Sequence, residues 1–278
     1  MFISHCHTGA TEFGLSKEPG AGTIELLVEI LAEAGADGAV AFAPFPSEGL
    51  GWGGEAARQY ADPNDWLLDQ LQSYPQLRGF ANVNPGKPGA AERLRELVAA
   101  GMVGAKVHPP VHRISLDDPA LNDFWAAADE LRLPIHIHTG VHGALLRTYR
   151  PILLDDIANA YPNLSIIIDH LGGYAFFNEA LAVIQNNRNV YAGMTQVSGR
   201  AAPYTITQER LQVLIDTVGP SRMIYGLDYP WNPDNRKALL DDIAWVRSWG
   251  LSEEDTNAVL GGNILRLIDR VIPPGRTS

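Results

Sequence analysis

The residues of this chain that could do chemistry recur at the ends of short apolar runs. Two histidines flank a cysteine near the amino terminus, in Ser4-His5-Cys6-His7. Further histidines and acids close later runs, at Ile135-His136-Ile137-His138, Ile168-Asp169-His170 and Tyr225-Gly226-Leu227-Asp228. Imidazole nitrogens and a carboxylate suit a borderline-soft divalent cation such as zinc. The pattern therefore predicts a metal site assembled from distant segments.

His5 and His7 are the firmest ligand candidates, because side chains two apart in an extended strand share a face. Burying two imidazoles without partners would cost about 1–3 kcal/mol each, which favours metal binding over a frayed polar strand. Cys6 points the opposite way and is interpreted as a small core residue, with thiolate ligation as the lesser alternative. His138 lies nearer the end of its run than His136. We therefore expect His138 to reach the metal and His136 to be a hydrogen-bonded core residue.

Asp228 and His170 are the candidate catalytic residues. Asp228 could ligate the cation and accept a proton from its bound water, or it could be an ordinary turn aspartate before Pro230. His170 is followed closely by two glycines, which leave room for a ligand. It could be a further ligand or a general acid/base. We favour the second role, because His5, His7, His138 and Asp228 already suffice for a tetrahedral shell.

Three residues are candidates for binding a substrate carboxylate. Lys106 and His108 alternate on one face of another apolar run. For Lys106, a carbamylated metal bridge and an ion pair inside the fold remain alternatives. Arg147 is a candidate anion clamp in the loop after His138. Four further residues have weaker assignments, the first two as solvated loop residues and the last two as pocket walls: His112, His142, Tyr229 and Trp231.

The elements that must position these residues form a regular alternation. Strands are predicted over residues 1–6, 38–43, 77–83, 103–108, 133–138, 164–169, 189–195 and 222–228. Helices are predicted over residues 23–34, 90–100, 119–131, 152–161, 207–218 and 237–249. Such alternation indicates βαβ units, and eight of them predict a single closed (β/α)8 TIM barrel rather than an open doubly wound sheet. An extra C-terminal helix is predicted over 252–260, broken near Gly261 and continued over 263–270.

A barrel would bring the candidate ligands together. Active sites of such barrels lie at the carboxyl ends of the strands, where loops rich in glycine and proline follow in this chain. Asp228 ends the eighth strand, which neighbours the first in a closed barrel and so can meet His5 and His7. The glycine-rich segment 45–61 is predicted to be a lid or an interface loop. The whole chain, 1–278, is predicted to be one domain.

Composition excludes several classes of protein. The chain has 278 residues, 46% of them hydrophobic, and a formal net charge of −11. The acidic balance disfavours nucleic acid and anionic membranes, which need clustered lysine and arginine. Cys6 is the only cysteine, so an intrachain disulfide is excluded. No apolar run is long enough to span a bilayer and the start lacks a signal-peptide pattern, so we expect a cytoplasmic protein.

Taken in order along the chain, these motifs resemble the amidohydrolase superfamily, specifically the amidohydrolase-related branch that includes aminocarboxymuconate semialdehyde decarboxylase. The matching stretches are His5-Cys6-His7, Gly104–Pro109 (GAKVHP), Pro134–Gly140 (PIHIHTG), Asp169–Gly173 (DHLGG), Tyr225–Trp231 (YGLDYPW) and Leu260–Asn263 (LGGN). The resemblance implies a mononuclear site of His5, His7, His138 and Asp228 with His170 catalytic, one zinc ion or alternatively manganese, and association into homo-oligomers. The family pattern commonly has an acidic residue where this chain has Ile3.

The leading hypothesis is a metal-dependent hydrolase of a small carboxylated ester, lactone or amide, in which the metal activates a water molecule. The second is a metal-dependent lyase that decarboxylates an aromatic or muconate-like acid with the same ligands. The third is a barrel without catalytic activity that serves as a binding module. The retained ligand set argues against the third hypothesis.

Overall fold

The computed structural model describes residues 1–46, 50–199 and 204–273. Eight parallel strands form one sheet in the order β3-β2-β1-β8-β7-β6-β5-β4. The strands are β1 Phe2–His7, β2 Gly38–Phe42, β3 Leu77–Phe80, β4 Ala105–Val107, β5 Pro134–His138, β6 Ser165–Asp169, β7 Val190–Thr195 and β8 Met223–Tyr229. A parallel bridge between Ala81 and Ala105 joins the two outer strands. The predicted TIM barrel is confirmed.

Helices connect the strands and cover the outside of the barrel. They are α1 Ile24–Glu33, α2 Ala56–Gln59, α3 Pro63–Ser73, α4 Ala90–Ala99, α5 Pro109–His112, α6 Asn122–Glu130, α7 Leu153–Ala160, α8 Gly173–Asn186, α9 Gln208–Val218, α10 Asn235–Arg247, α11 Glu253–Asn257 and α12 Asn263–Ile268. Polar caps set several of their starts: the side chains of Thr23, Asp234 and Ser252 accept hydrogen bonds from backbone N–H groups of α1, α10 and α11. Within the described ranges, each helix falls short of the length and apolar character that crossing a membrane requires.

Four of these helices lie outside the predicted set: the short α2 and α5, and the longer α3 and α8. Helix α8 begins at Gly173, immediately after the Gly172 that follows β6, and those glycines indicated a rim loop. Helix α3 begins with Asp62 as its cap and Pro63 in its first turn, which is a common start signal. The glycine-rich stretch before it obscured that signal.

The C-terminal segment breaks where the sequence predicts. Between α11 and α12 the backbone forms a wide turn over Ala258–Gly262, in which Gly261 has a φ of 155°. A Cβ at Gly261 would lie 2.4 Å from the backbone nitrogen of Phe2, so a side chain does not fit there. This close approach lets α12 pack across the amino-terminal end of the barrel.

Two apolar layers hold the barrel together. The larger lies between the sheet and the helices and contains Ile3, at the position where the family pattern carries an acid. The smaller fills the lower interior of the barrel and includes three residues of α12. Its members are Phe2, Val40, Phe42, Phe80, Ile167, Ile224, Ile264, Leu267 and Ile268. Polar side chains occupy the upper interior, toward the carboxyl ends of the strands.

Candidate metal centre and pocket

Strand β1 carries a β-bulge at the start of its His-Cys-His motif. Ile3 pairs with Ala39 of β2 and Cys6 pairs with Ala41, so β1 advances three residues where β2 advances two. His5 lies within the bulge, with a φ of 58° in the left-handed region. Because a bulge re-aims side chains, the simple alternation of an extended strand does not hold here.

The bulge directs two successive side chains into the barrel. Ser4 Oγ lies 2.8 Å from His136 Nε2, and the ring of His5 also contacts that of His136. Cys6 returns to the apolar layer outside the sheet, and His7 again faces the pocket. The structure thus brings His5 and His7 together, and it adds Ser4, which the sequence pattern did not single out.

Three donor atoms from β1 and β8 converge at the carboxyl end of the barrel. His5 Nε2 lies 3.2 Å from His7 Nε2 and 3.2 Å from Asp228 Oδ1, and His7 Nε2 lies 3.4 Å from the same oxygen. A tetrahedral zinc ion with ligands at about 2.0–2.2 Å separates those ligands by about 3.3–3.6 Å. The three atoms therefore fit three vertices of a tetrahedral site for a divalent cation.

The charges at this position also suit a cation. Burial favours the neutral acid, but His5 and His7 outweigh it and hold the pKa of Asp228 well below its ordinary value. Burial lowers the pKa of His7 to about 4. Burial also opposes protonation of His5, yet the carboxylates of Asp169 and Asp228 outweigh it and raise its pKa. The ionised carboxylate of Asp228 and the neutral imidazole of His7 are in the state that metal coordination requires. The two carboxylates that favour a proton on His5 show that this position attracts positive charge.

His170 and His138 line the pocket beside these donors, with ring centroids 4.8 Å apart. His170 Nδ1 lies 3.0 Å from the backbone oxygen of Thr195, which can only accept, so Nδ1 carries the hydrogen and Nε2 is an acceptor. Burial lowers the pKa of His170 to about 4 and keeps its ring neutral. His138 Nε2 donates in the same way to the oxygen of Gly140, at 3.0 Å. His138 is not one of the three converging donors, and its ligand role stays a prediction.

Left-handed backbone conformations are concentrated around this site. Five non-glycine residues there have φ angles between 50° and 59°: His5, His170, Leu171, Gln196 and Asp228. Each such conformation costs about 1–3 kcal/mol and persists where the surrounding structure imposes it, commonly at functional sites. The backbone is therefore distorted where side chains from separate strands must converge.

Gly226 on β8 leaves the space that His5 occupies. A Cβ at this position would lie 2.7 Å from His5 Cβ and 2.5 Å from Thr195 Oγ1. We expect Gly226→Ala to displace His5 and weaken zinc binding by about 10–100-fold, as changes behind metal ligands do. Competition with a coloured chelator measures this affinity. Gly53→Ala is the control, because a Cβ there meets its nearest neighbour, Thr11, at 3.8 Å. Equal affinities of the two variants would contradict the expectation.

Lys106 lies below the pocket rather than in its wall. Its ammonium group is fully buried and donates to Asp169 Oδ2. The pairing matches the ion-pair alternative, and the ammonium is not presented to a substrate carboxylate. His136, one layer below His138, is a buried residue whose two ring nitrogens are both hydrogen-bonded.

The other two predicted substrate-binding residues occupy different places. The ring of His108 lines the pocket and stacks on that of His138, with centroids 4.0 Å apart. Its buried Nδ1 has no hydrogen-bond partner among the described residues. Arg147 is exposed in the short turn Leu146–Thr148 and does not line the pocket.

Of the four residues with weaker assignments, two line the pocket and two lie elsewhere. His142 and Trp231 line the pocket. His112 is half-buried, with its Nε2 2.9 Å from Asn82 Oδ1. Tyr229 lies behind the wall, where its hydroxyl accepts from the N–H of Gly22 and donates to a backbone oxygen.

The pocket above the three donors has a volume of about 520 Å³ and mostly apolar walls. Its apolar and aromatic lining residues are Phe13, Leu15, Pro44, Phe45, Leu50, Val111, Tyr204, Trp231 and Pro233. None of the lysines and arginines within the described residues lines it. The predicted lid 45–61 contributes Phe45 and Leu50, while its residues 47–49 lie outside the described ranges.

Asp169 and Tyr204 also had no role assigned from the sequence. Asp169 accepts hydrogen bonds from Lys106 and His136, and its place directly before His170 at a strand end was the one signal for it. Tyr204 stacks on His170 with ring centroids 4.2 Å apart, and burial raises its pKa to about 12. It lies outside every predicted element, so the sequence offered no signal for it.

Comparison with known proteins places this architecture in a family. The amidohydrolase family model matches residues 13–270, and the chain belongs to that family. No curated protein matches the chain.

Solved structures share its fold at low sequence identity. An uncharacterised TIM-barrel protein from Bordetella bronchiseptica is 17% identical, with a TM-score of 0.76 over 97% of this chain and 98% of the other. A dihydroxybenzoic acid decarboxylase from Polaromonas sp. JS666, with bound manganese and 2-nitroresorcinol, is 17% identical, with a TM-score of 0.68 over 96% of each chain. A probable 2-pyrone-4,6-dicarboxylic acid hydrolase from Acinetobacter baumannii, with bound citric acid, is 16% identical, with a TM-score of 0.66 over 96% of this chain and 98% of the other.

Proposed function

We propose that this protein is a metal-dependent hydrolase of a small carboxylated ester, lactone or amide. The observation that carries the proposal is the spacing of His5 Nε2, His7 Nε2 and Asp228 Oδ1, whose separations of 3.2, 3.2 and 3.4 Å match the edges of a tetrahedral site at the floor of the pocket. Zinc is the cation of choice for two imidazoles and a carboxylate, with manganese as the alternative. Family membership supports metal dependence.

A divalent cation held by His5, His7 and Asp228 would polarise a substrate carbonyl and lower the pKa of bound water. Around it, the protein supplies proton acceptors. Asp228 is an ionised carboxylate, and only its Oδ1 faces both histidines of β1. His170 is neutral and presents Nε2 as an acceptor. Whichever of the two takes a proton from the attacking water can then return that proton to the leaving oxygen or nitrogen.

The pocket walls favour a substrate with a planar apolar body. Tyr204 and Trp231 contribute aromatic faces, and Phe13 and Phe45 extend the apolar surface. His108 adds a buried polar atom that has no partner among the described residues, on the β4 side of the pocket. From the sequence, His108 is a candidate for binding a substrate carboxylate, and we keep it as a residue that binds a polar group of the substrate.

Decarboxylation of an aromatic acid is the second candidate reaction. The apolar walls favour it, because excluding water from a carboxylate favours a transition state in which the charge is dispersed. The Polaromonas structure that shares this fold is named a dihydroxybenzoic acid decarboxylase. The same cation site would serve both reactions, so the product distinguishes them.

Metal analysis tests the proposal directly. We expect purified protein to contain about one equivalent of zinc or manganese by mass spectrometry, and we expect chelation to abolish activity and either ion to restore it. Cys6→Ala is the matched control: Cys6 lies between the two histidines but faces the apolar layer, so this variant should retain the metal. Protein that neither contains nor takes up metal, and gains no activity on its addition, would overturn the proposal and favour a binding module.

A product assay then separates the two reactions. Incubation with aromatic and muconate-like acids monitors release of carbon dioxide, and incubation with their esters, lactones and amides monitors hydrolysis. Hydrolysis that depends on added metal supports the proposal. Carbon dioxide release without hydrolysis would replace it with the second candidate.

A further inference from the structure

A fully buried carboxylate lies directly beneath the proposed cation site. Asp169 ends β6 and has no exposed surface. Its Oδ2 accepts a hydrogen bond from the ammonium group of Lys106. Its Oδ1 lies 2.6 Å from His136 Nδ1 and 3.1 Å from His5 Nδ1. One side chain thus contacts a lysine, a core histidine and one of the three converging donors.

The charge of Asp169 fixes the direction of these contacts. The ammonium group of Lys106 donates to its Oδ2, and this ion pair keeps the buried carboxyl group ionised. An ionised carboxylate can only accept hydrogen bonds, so the facing nitrogens must donate. The hydrogen of His136 is then on Nδ1, and its Nε2 accepts from the hydroxyl of Ser4. The hydrogen of His5 is likewise on Nδ1.

When a cation lies between the ionised Asp228 and His5, as the proposed site requires, that assignment gives the cation the lone pair of His5 Nε2. This atom faces Asp228 Oδ1 and His7 Nε2, each at 3.2 Å. Thr195 Oγ1, the other group near His5 Nδ1, lies at 3.3 Å. A hydroxyl can donate or accept, so Thr195 by itself does not fix the tautomer of His5.

The inner group is not a second cation site. His5, His136 and Asp169 place three potential ligand atoms close together. The ammonium group of Lys106 already neutralises Asp169, and a further cation beside it would be repelled. Both nitrogens of His136 are also engaged, with Asp169 and Ser4.

We infer that Asp169 is a positioning residue for the metal centre: it holds His5 with its hydrogen on Nδ1 and its Nε2 lone pair directed between His7 and Asp228. Lys106 and His136 hold the carboxylate in place, and Gly193 leaves room for it, since a Cβ there would lie 3.1 Å from Asp169 Oδ1. Partners behind a ligating histidine fix its tautomer and its orientation in this way. The inference rests on the proposed metal site.

The first test reads the protonation of His5 directly. Nitrogen-15 NMR of zinc-loaded protein labelled at histidine, with the His5 signals assigned by their absence in His5→Asn, reports which ring nitrogen of His5 carries the hydrogen. We expect the hydrogen on Nδ1. A hydrogen on Nε2, with Nδ1 facing the metal, would overturn the inference.

The second test removes the carboxylate while keeping the buried charges balanced. We expect Lys106→Met/Asp169→Asn to bind zinc about 10–100-fold more weakly in chelator competition and to show a mixture of His5 tautomers. Lys237→Met/Asp241→Asn is the control, because it makes the same two substitutions in an exposed ion pair of α10, and its zinc affinity should stay near that of the unmodified protein. If the double variant does not fold, the same two measurements are made on Asp169→Asn alone.

The outcomes separate this inference from the proposed function. If the unmodified protein and the double variant bind zinc equally well and His5 keeps one tautomer in both, Asp169 is not a positioning residue, while the metal site stands. If the unmodified protein binds no zinc, the metal site fails, and with it the positioning role of Asp169.

Discussion

Replacing Asp228 with asparagine is expected to lower kcat/KM by about 10²–10⁴-fold, the usual contribution of a positioned acid or base. The amide keeps the shape of the side chain but loses the negative charge that faces His5 Nε2 and His7 Nε2. It also cannot take a proton from water at neutral pH. Steady-state kinetics on the substrate found in the product assay measure the loss, and mass spectrometry measures the metal retained by Asp228→Asn.

The control for this substitution lies six residues further along the chain. Asp234 is exposed and accepts a hydrogen bond from Lys237 N–H as the cap of α10. Asparagine caps helices as well as aspartate does, so Asp234→Asn should leave both stability and activity nearly unchanged. If Asp228→Asn retained activity within about threefold of this control, Asp228 could not be the proposed base or an essential ligand.

Replacing Lys106 with methionine is expected to lower the free energy of unfolding by about 3–5 kcal/mol, because it leaves the Asp169 carboxylate buried without its cationic partner. Chemical denaturation at neutral pH measures the change. Lys237→Met is the control: Lys237 pairs with Asp241 on the exposed face of α10, where an ion pair contributes little. Equal midpoints for the two variants would contradict the expected importance of the buried pair.

The pH dependence of this effect has a definite sign. The pKa of Asp169 in the folded protein is held well below its ordinary value of 3.8 by His5, Lys106 and His136, against the opposing effect of burial. The stability that the ionised carboxylate contributes is therefore present above that ordinary value and is lost as the pH falls through the folded value. In Lys106→Met the buried carboxylate has lost a stabilising charge and takes up a proton more readily. The deficit of the variant should consequently shrink as the pH is lowered.

The alternation of strand-like and helix-like segments predicted the barrel, because each strand is a short apolar run and each connection is long enough for a helix. All eight predicted strands overlap observed ones, although β4 is shorter, Ala105–Val107 against the predicted 103–108. Helix α8 could not be separated from the glycines that precede it, since glycine interrupts a local pattern whether a helix or a loop comes next. Helix α3 carried a readable start in Asp62-Pro63.

The site was less predictable than the fold, because convergence depends on backbone distortion that no periodic pattern encodes. The approach of His5 to Asp228 follows from barrel closure, which the order of the strands predicts. The inward position of Ser4 follows from the bulge in β1. Lys106 and His108 share a strand face in the sequence, yet Lys106 reaches down to Asp169 while His108 reaches the pocket. That difference is set by partners on other strands.

Helix α12 packs across the lower end of the barrel and closes that end to solvent and small molecules. Three residues of α12 form an apolar cluster with Phe2 and Val40: Ile264, Leu267 and Ile268. This cluster lies beneath the buried charges of Lys106 and Asp169. Solvent is thereby kept from approaching those charges from below. Within the described residues, small molecules and protons then reach the candidate site from the opposite end, through the pocket that Phe45 and Trp231 help to line.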